Sequence, residues 1–238
     1  SILDGAVAVR DGRIEHVGAR DWVVETLTQR GLSFTERHFD GVLLPGLVNA
    51  HTHLQYTGMA SVGAGQYRGF DDWACAFDEV YDAGGLDWGG DAAAGARLLL
   101  ESGTTAAADV VTDAAAASAL HDAGLHGVAY WEVMSWSNDE WRARGEREVS
   151  ASLDAMPTPP AVGISPHAPY SLDAEPLLDL PDMARRRGMR IHIHLGESHS
   201  EAEWSETRTT ALADLWKSEH SSSFTAMRSR GGGFSSTQ

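Results

Sequence analysis

A strand that ends in two closely spaced histidines constrains this chain more than any other feature. Residues 43–59 read LLPGLVNAHTHLQYTGM, an apolar run that ends at His51, Thr52 and His53. Successive side chains of a β-strand point to opposite faces, so His51 and His53 project to the same side. Neutral imidazoles that converge at the end of a buried strand suit zinc or iron. The alternative is a pair of core histidines, which the apolar run disfavours because buried imidazoles need partners.

Alternating strand and helix patterns follow this run and predict an α/β fold. The later predicted strands are at residues 104–110, 127–133, 161–165 and 189–195. The predicted helices are at residues 91–101, 114–123, 139–155 and 200–216, with a further helical segment between Ser171 and Gly188. The histidines near strand ends are His51, His53, His167, His192 and His194. Because the carboxyl ends of parallel strands gather on one side, these side chains should lie close together.

Four motifs of the chain resemble the amidohydrolase superfamily. They are PGLVNAHTHL at the first strand of the series, GTTAAAD at the second, SPHAPYS after the fourth and HLGES at the end of the fifth. The likeness is to the branch that contains cytosine deaminases, chlorohydrolases and thioadenosine/adenosylhomocysteine deaminases. It implies a (β/α)8 TIM-type barrel that carries one divalent metal ion, with a small flanking β-sandwich.

The resemblance also implies the metal ligands. His192 and His194 share one face of their strand, so the alternation of side chains alone does not decide which of the two is the metal ligand. His194 is nearer the strand end and stands three residues before Glu197, which is how the family places its third metal histidine and its catalytic glutamate. His51, His53 and His194 are therefore the expected ligands, and His192 is expected to be a deeper barrel residue.

Two further roles come from the same resemblance. Glu197 is the expected catalytic residue, because a carboxylic acid beside a metal-activated water can carry a proton to the ring nitrogen next to the attacked carbon. His167 lies in the motif SPHAPYS and is expected to bind substrate without binding metal. Asp109 is expected to orient the strand ends by hydrogen bonds and not to ligate the ion.

One divalent ion is expected, and zinc is favoured over iron. The single lysine is Lys217, which lies far from the strand that carries His167, so a two-metal site bridged by a modified lysine is disfavoured. The single cysteine, Cys75, excludes an intrachain disulfide and a zinc–thiolate cluster. The aromatic-rich segment from Tyr56 to Tyr81 is expected to be a loop that either covers a flat substrate ring or packs the top of the barrel.

The motifs divide the chain into two predicted domains. Residues 1–44 are expected to form the N-terminal part of the β-sandwich, with a hairpin around Asp11-Gly12, a helix at 21–30 capped by Asp21, and a third strand at 33–39. Residues 45–238 are expected to form the metal-dependent hydrolase barrel. The 41 residues from 198 to 238 cannot supply three more strand–helix units, since one unit needs about 30 residues or more. We therefore expect a C-terminally truncated chain with about five of eight barrel units, inactive and marginally stable by itself.

Charge and hydropathy exclude several kinds of partner. The formal net charge of −16 argues against a nucleic-acid partner, because phosphate backbones repel an acidic surface. The sequence shows no apolar run of about 18 residues and no signal-peptide pattern at its start. We therefore expect no membrane partner and a cytoplasmic location.

The predicted function is hydrolysis of a carbon–nitrogen bond that is not a peptide bond. Its favoured form is deamination of an aminated nitrogen heterocycle by metal-activated water, which makes the parent protein an amidohydrolase. A cyclic amidase, a triazine chlorohydrolase and a non-catalytic metal-binding protein remain as alternatives. The expected partner is a small-molecule nitrogen heterocycle, and a homo-oligomer is left open.

Overall fold

The chain forms two compact units, Ser1–Pro45 and Gly46–Gln238, in a computed structural model that describes residues 1–207. In the smaller unit β1 (Gly5–Arg10) pairs antiparallel with β2 (Arg13–Ala19), and α1 (Arg20–Gln29) follows. Asp11 and Gly12 both have positive φ, 50° and 73°. This is the geometry of a two-residue primed turn, so the predicted hairpin is confirmed.

Two expectations for the smaller unit are wrong. Residues 33–39 form no strand, because their alternating pattern has no partner strand within the described residues, and Glu36 instead pairs with Arg20 at 2.5 Å. Helix α1 begins after Ala19, so Asp21 lies in its first turn and is not its cap. The assignment of this unit to a β-sandwich stays a prediction.

The larger unit alternates strands and helices. Its strands are β3 (Leu47–Thr52), β4 (Thr104–Val111), β5 (His126–Val133), β6 (Ala161–Pro166) and β7 (Arg190–Ile191). Its helices are α2 (Ala60–Gly63), α3 (Phe70–Asp82), α4 (Trp88–Glu101), α5 (Ala119–Asp122), α6 (Asn138–Glu140), α7 (Glu146–Ala155), α8 (Ala174–Arg187) and, within the described residues, α9 (His199–Thr207). 3₁₀ turns occur at Leu54–Met59 and Ala114–Ala116, and a π-helical turn occurs at Trp141–Gly145.

The five strands form one parallel sheet in the order β3-β4-β5-β6-β7. A strand order that follows the chain without reversal brings the crossovers to one face, because parallel connections are right-handed. Open doubly wound sheets reverse their order at a switch point, whereas (β/α)8 barrels do not. The fold is therefore a partial TIM-type barrel, as the sequence predicts.

The two faces of the sheet carry different side chains. Ala129 and Val133 of β5 pack in the clusters formed with the surrounding helices, whereas Tyr130 packs with Val110 in a separate cluster on the other face. Since side chains alternate along a strand, Glu132 shares the inner face with Tyr130. This inner face leads to the carboxyl ends of the strands.

Gly127 allows β5 to lie close against β4. Its φ is 147°, and a Cβ at this position would lie 1.9 Å from the carbonyl oxygen of Ala107. Both the conformation and the space therefore require glycine.

Three expected elements differ from the observed ones. The aromatic segment that was expected to be a loop contains the helix α3. Strand β7 has only two residues, although the backbone N–H groups of His192 and His194 still donate to the carbonyls of Ile164 and His167. The predicted helix at 200–216 is helical over 199–207, and the remainder lies outside the described residues. None of the helices within residues 1–207 combines the length and apolar character needed to cross a membrane.

Candidate metal centre

Three histidines from the two edge strands of the sheet converge at its carboxyl end. His51 lies in β3, His53 follows that strand directly, and His194 follows β7. One ring nitrogen of each lies within 4.8 Å of the others. The residues that the sequence predicts as ligands are therefore brought together, although their sequence separation is about 140 residues.

The spacing of two nitrogens fits a divalent ion. His53 Nε2 and His194 Nε2 are 3.2 Å apart. Two ligands at about 2.05 Å from a tetrahedral zinc ion are about 3.3 Å apart. His53 Nδ1 is buried and has no hydrogen-bond partner among the described residues, which leaves the orientation of this ring to the group that binds its Nε2. The donor set present here thus fits a divalent metal ion with nitrogen ligands.

The second nitrogen of His194 is held by the backbone. His194 Nδ1 lies 2.8 Å from the carbonyl oxygen of His167, which also accepts the backbone N–H of His194. A carbonyl oxygen can only accept, so Nδ1 carries the proton and Nε2 presents its lone pair. Histidines that bind metals are usually oriented in this way by a hydrogen bond from their other nitrogen.

His192 is not simply a deeper barrel residue. Its Nε2 is 2.6 Å from His51 Nδ1, and the two ring planes are nearly parallel, with an interplanar angle of 21° and centroids 4.9 Å apart. The ring centroids of Tyr130 and His192 are 5.1 Å apart. His192 therefore contacts a predicted metal ligand, which strand parity could not show.

Burial favours the neutral form of four imidazoles in this cluster, those of His51, His53, His167 and His192. Together with the smaller effect of charge on neighbouring imidazoles, it lowers the pKa of His53 and of His167 to about 3. The pKa values of His51 and His192 are lowered by the same two causes. Neutral imidazole is the form that binds metals, so the site needs no deprotonation of these rings at neutral pH.

His167 is oriented by the loop that follows β6. Its Nδ1 is 2.7 Å from Ser171 Oγ, which in turn donates to the carbonyl of Ala168. Because the single hydroxyl proton is used in that second bond, His167 Nδ1 must be the donor to Ser171. His167 Nε2 is therefore an acceptor, and its ring lies 4.9 Å from that of His194.

Glu197 follows His194 and is held at both its side chain and its backbone. The hydroxyl of Tyr170 donates to Glu197 Oε2 at 3.0 Å, and the backbone N–H of Glu197 donates to Glu201 at 2.8 Å. Tyr170 is buried beside His167, and burial raises its pKa, so it remains a donor. One carboxylate oxygen of Glu197 is thereby fixed and the other is left for a proton.

Glu132 is a buried carboxyl group that the sequence analysis missed. Its Oε1 has no hydrogen-bond partner among the described residues and lies 3.8 Å from His194 Nδ1. Burial raises its pKa to about 8, and the charge of Glu197 adds to this rise. Glu132 is two residues after Tyr130, so the two side chains share one face near the end of β5. This spacing was the sign of Glu132 that the sequence offered.

Asp109 acts as expected from its place at the end of β4. Its Oδ1 accepts the backbone N–H of Leu54 at 2.9 Å, directly after His53. The side chain of Gln55 makes two further hydrogen bonds to Thr112, the residue that directly follows β4. The chain that leaves the first two histidines is therefore anchored to the neighbouring strand.

The aromatic residues of α3 pack mostly on one another. Tyr56 stacks on His53 with ring centroids 5.2 Å apart, and the centroids of Phe77 and Tyr56 are 5.0 Å apart. The ring centroid of Phe70 lies 6.2 Å from that of Tyr170, the residue that holds Glu197. These rings thus form a wall beside the histidines, which fits the packing alternative for most of them.

Comparison with known proteins relates this site to a family. Residues 42–212 match the amidohydrolase family. A 5-methylthioadenosine/S-adenosylhomocysteine deaminase from Nitratidesulfovibrio vulgaris is 30% identical over 225 residues, which cover 84% of this chain and 46% of that protein. The chain spans about half the length of the curated relatives it matches.

Solved structures show the same fold. The aminofutalosine deaminase of Helicobacter pylori superposes with a TM-score of 0.70 at 23% identity, over 91% of this chain and 50% of the other. An adenosine deaminase from Xanthomonas campestris with bound zinc superposes with a TM-score of 0.66 at 24% identity, over 90% of this chain and 50% of the other.

Proposed function

Because the chain belongs to the amidohydrolase family, we propose that the protein is a metal-dependent hydrolase that deaminates an aminated nitrogen heterocycle. The observation that carries this proposal is the convergence of His51, His53 and His194, the last of which precedes Glu197 by three residues. The names of the relatives point to adenine nucleosides as the first substrates to test.

We assign the three histidines to one divalent ion, with zinc favoured over iron. All-nitrogen donors suit both metals, and a solved relative of the same fold contains zinc. When bound, the ion would supply a nucleophile at neutral pH by lowering the pKa of a water molecule to about 7. The remaining steps belong to side chains of this chain.

Glu197 is suited to move a proton between the nucleophile and the ring. Tyr170 holds Oε2 of this carboxyl group, so the free oxygen can take up a proton and deliver it to the ring nitrogen beside the attacked carbon. Protonation there makes the carbon more electrophilic. The bond between this carbon and the amino group breaks when the amino group has received the second proton of the attacking water. Ammonia then leaves, and the water oxygen remains on the ring carbon as a carbonyl.

His167 is suited to bind the substrate. Its Nε2 accepts a hydrogen bond and its ring is neutral, so it selects an N–H or O–H group on the substrate and not an anion. The aromatic wall around Tyr56 and Phe77 provides apolar surface beside this acceptor. A flat heterocycle with at least one donor fits this environment.

The test uses the product of the complete gene. Elemental analysis should find close to one zinc or iron per chain, and ammonia release should be seen with at least one member of a panel of aminated purine nucleosides, pyrimidines and triazines. The metal should be lost in His51→Ala and His53→Ala. Two tightly held ions per chain, or full metal occupancy in these variants, would contradict the ligand assignment.

A second experiment separates catalysis from metal binding. Glu197→Gln should retain the metal and lose about 10²-fold or more of the rate, because the amide preserves shape but cannot shuttle a proton. The matched control is Glu203→Gln on the exposed face of α9, which should change neither the metal content nor the rate. A loss of less than about tenfold in Glu197→Gln would point to another proton donor. Full metal content without turnover of any heterocycle would favour a non-catalytic binding protein.

A further inference from the structure

We propose that His192 is a positioning residue that holds the ring of His51 in the orientation in which it binds the metal. The proposal rests on the ligand assignment made above and concerns a residue that the metal site itself does not include. His192 Nε2 and His51 Nδ1 are 2.6 Å apart, which is within hydrogen-bond distance. The two rings come from the opposite edges of the sheet, 141 residues apart in the chain.

His192 is itself fixed before it contacts His51. Its backbone N–H donates to the carbonyl of Ile164 at 3.0 Å, which continues the pairing of β7 with β6. Its ring is packed against Tyr130 on the inner face of the sheet. The imidazole therefore offers a rigid partner, and its plane is nearly parallel to that of the His51 ring, as a hydrogen bond between two ring nitrogens requires.

The arrangement of protons determines which nitrogen of His51 faces the metal. A single proton lies between His51 Nδ1 and His192 Nε2 in a hydrogen bond of two neutral rings. When Nδ1 of His51 is the donor, its Nε2 keeps a lone pair that can bind a metal ion. His192 then accepts at Nε2 and carries its own proton on Nδ1.

A hydrogen bond of the same kind holds a second ligand of the site. His194 Nδ1 donates to the carbonyl of His167, which leaves Nε2 of His194 for the metal. Two of the three ligands thus use a hydrogen bond from the nitrogen that does not bind metal. Loss of such a partner weakens metal binding by about 10–100-fold in other proteins.

The experiment measures zinc affinity by competition with a chromophoric chelator and does not depend on activity. His192→Phe keeps an aromatic ring that can stack but has no acceptor, and it should bind zinc about 10–100-fold more weakly than the wild type. His192→Gln restores an acceptor and should recover part of that loss. The control is His126→Phe, an exposed histidine at the amino end of β5, which should leave the affinity unchanged.

The outcomes separate this inference from the proposed function. Wild-type affinity in His192→Phe overturns the inference and leaves the ligand assignment intact, whereas retention of metal in His51→Ala and His53→Ala contradicts the ligand assignment, and the inference then fails with it. Equal losses in His192→Phe and His192→Gln that match the loss in His51→Ala would make His192 a ligand, and would also overturn the positioning role. If His192→Phe does not fold by circular dichroism, His192→Leu provides a second variant that lacks an acceptor.

Discussion

Replacement of Asp109 by asparagine tests how the buried carboxyl group beside the site affects stability. Asp109 is 1% exposed, and its Oδ1 accepts the N–H of Leu54. Burial raises its pKa from 3.8 to about 7, against the opposite effect of the Leu54 hydrogen bond. The folded protein therefore retains this proton at pH values at which the unfolded chain has released it.

The sign and size of the effect follow from linkage. A raised pKa in the folded state means that stability is highest below pH about 4 and declines as the pH rises towards 7. At about 1.4 kcal/mol per pH unit, a shift of about three units removes about 4 kcal/mol. Asparagine does not ionise, so Asp109→Asn should match the wild type within about 1 kcal/mol at pH 4.5 and exceed its stability by up to about 4 kcal/mol at pH 8.

The measurement is urea unfolding at pH 4.5, 6 and 8, in the presence of a chelator because metal binding is itself pH-dependent. Asp82→Asn on the exposed end of α3 is the matched control, and as a surface substitution it should change the free energy of unfolding by no more than about 0.5 kcal/mol. An Asp109→Asn variant that is less stable than the wild type at pH 8 would refute the reasoning. That result would mean that Asp109 is ionised in the folded protein and that its charge stabilises the turn after His53.

Three further predictions concern the framework around the site. Gly127→Ala should destabilise the larger unit by more than about 2 kcal/mol in urea unfolding, because the new Cβ would collide with the carbonyl of Ala107; wild-type stability would contradict the φ of 147°. Asn138→Ala should lower the free energy of unfolding by about 1 kcal/mol, since its Oδ1 caps the N–H of Glu175 at the start of α8, and recovery in Asn138→Asp would confirm the cap. Leu120→Ala should lower the thermal midpoint through a cost of about 2–5 kcal/mol, because this side chain is 1% exposed; a cost below about 1 kcal/mol would place it outside the core.

The strand-end histidines were predictable because their information is local. A period of two puts His51 and His53 on one face, and parallel strands bring their ends together. The contact of His192 with His51 was not predictable in this way, because it depends on how far two strands at opposite edges of the sheet approach each other. Glu132 was missed for a related reason, since its parity with Tyr130 indicates a shared face of the strand but not how deeply the carboxyl group is buried.

The errors in secondary structure have different causes. The rings of Phe70, Trp73, Phe77 and Tyr81 recur at helical spacing and contact one another in sequence, so the period that predicts α3 was present in the chain. It was overlooked because the segment was interpreted by composition as a loop. Residues 33–39 show the reverse case, in which alternation is present but residues 1–207 offer no neighbouring strand that pairs with it.

The separation of 141 positions between His53 and His194 also imposes an order of events during synthesis. At about 5–20 residues per second, the ribosome completes the interval between these two histidines in about 7–28 s. During that time the nascent chain carries two imidazoles without the third donor that a stable site needs. With the proposed ligand set, metal loading would therefore await the arrival of the segment after β7, and a translational pause before codon 194 would prolong the period in which His51 and His53 are available to unintended metal ions.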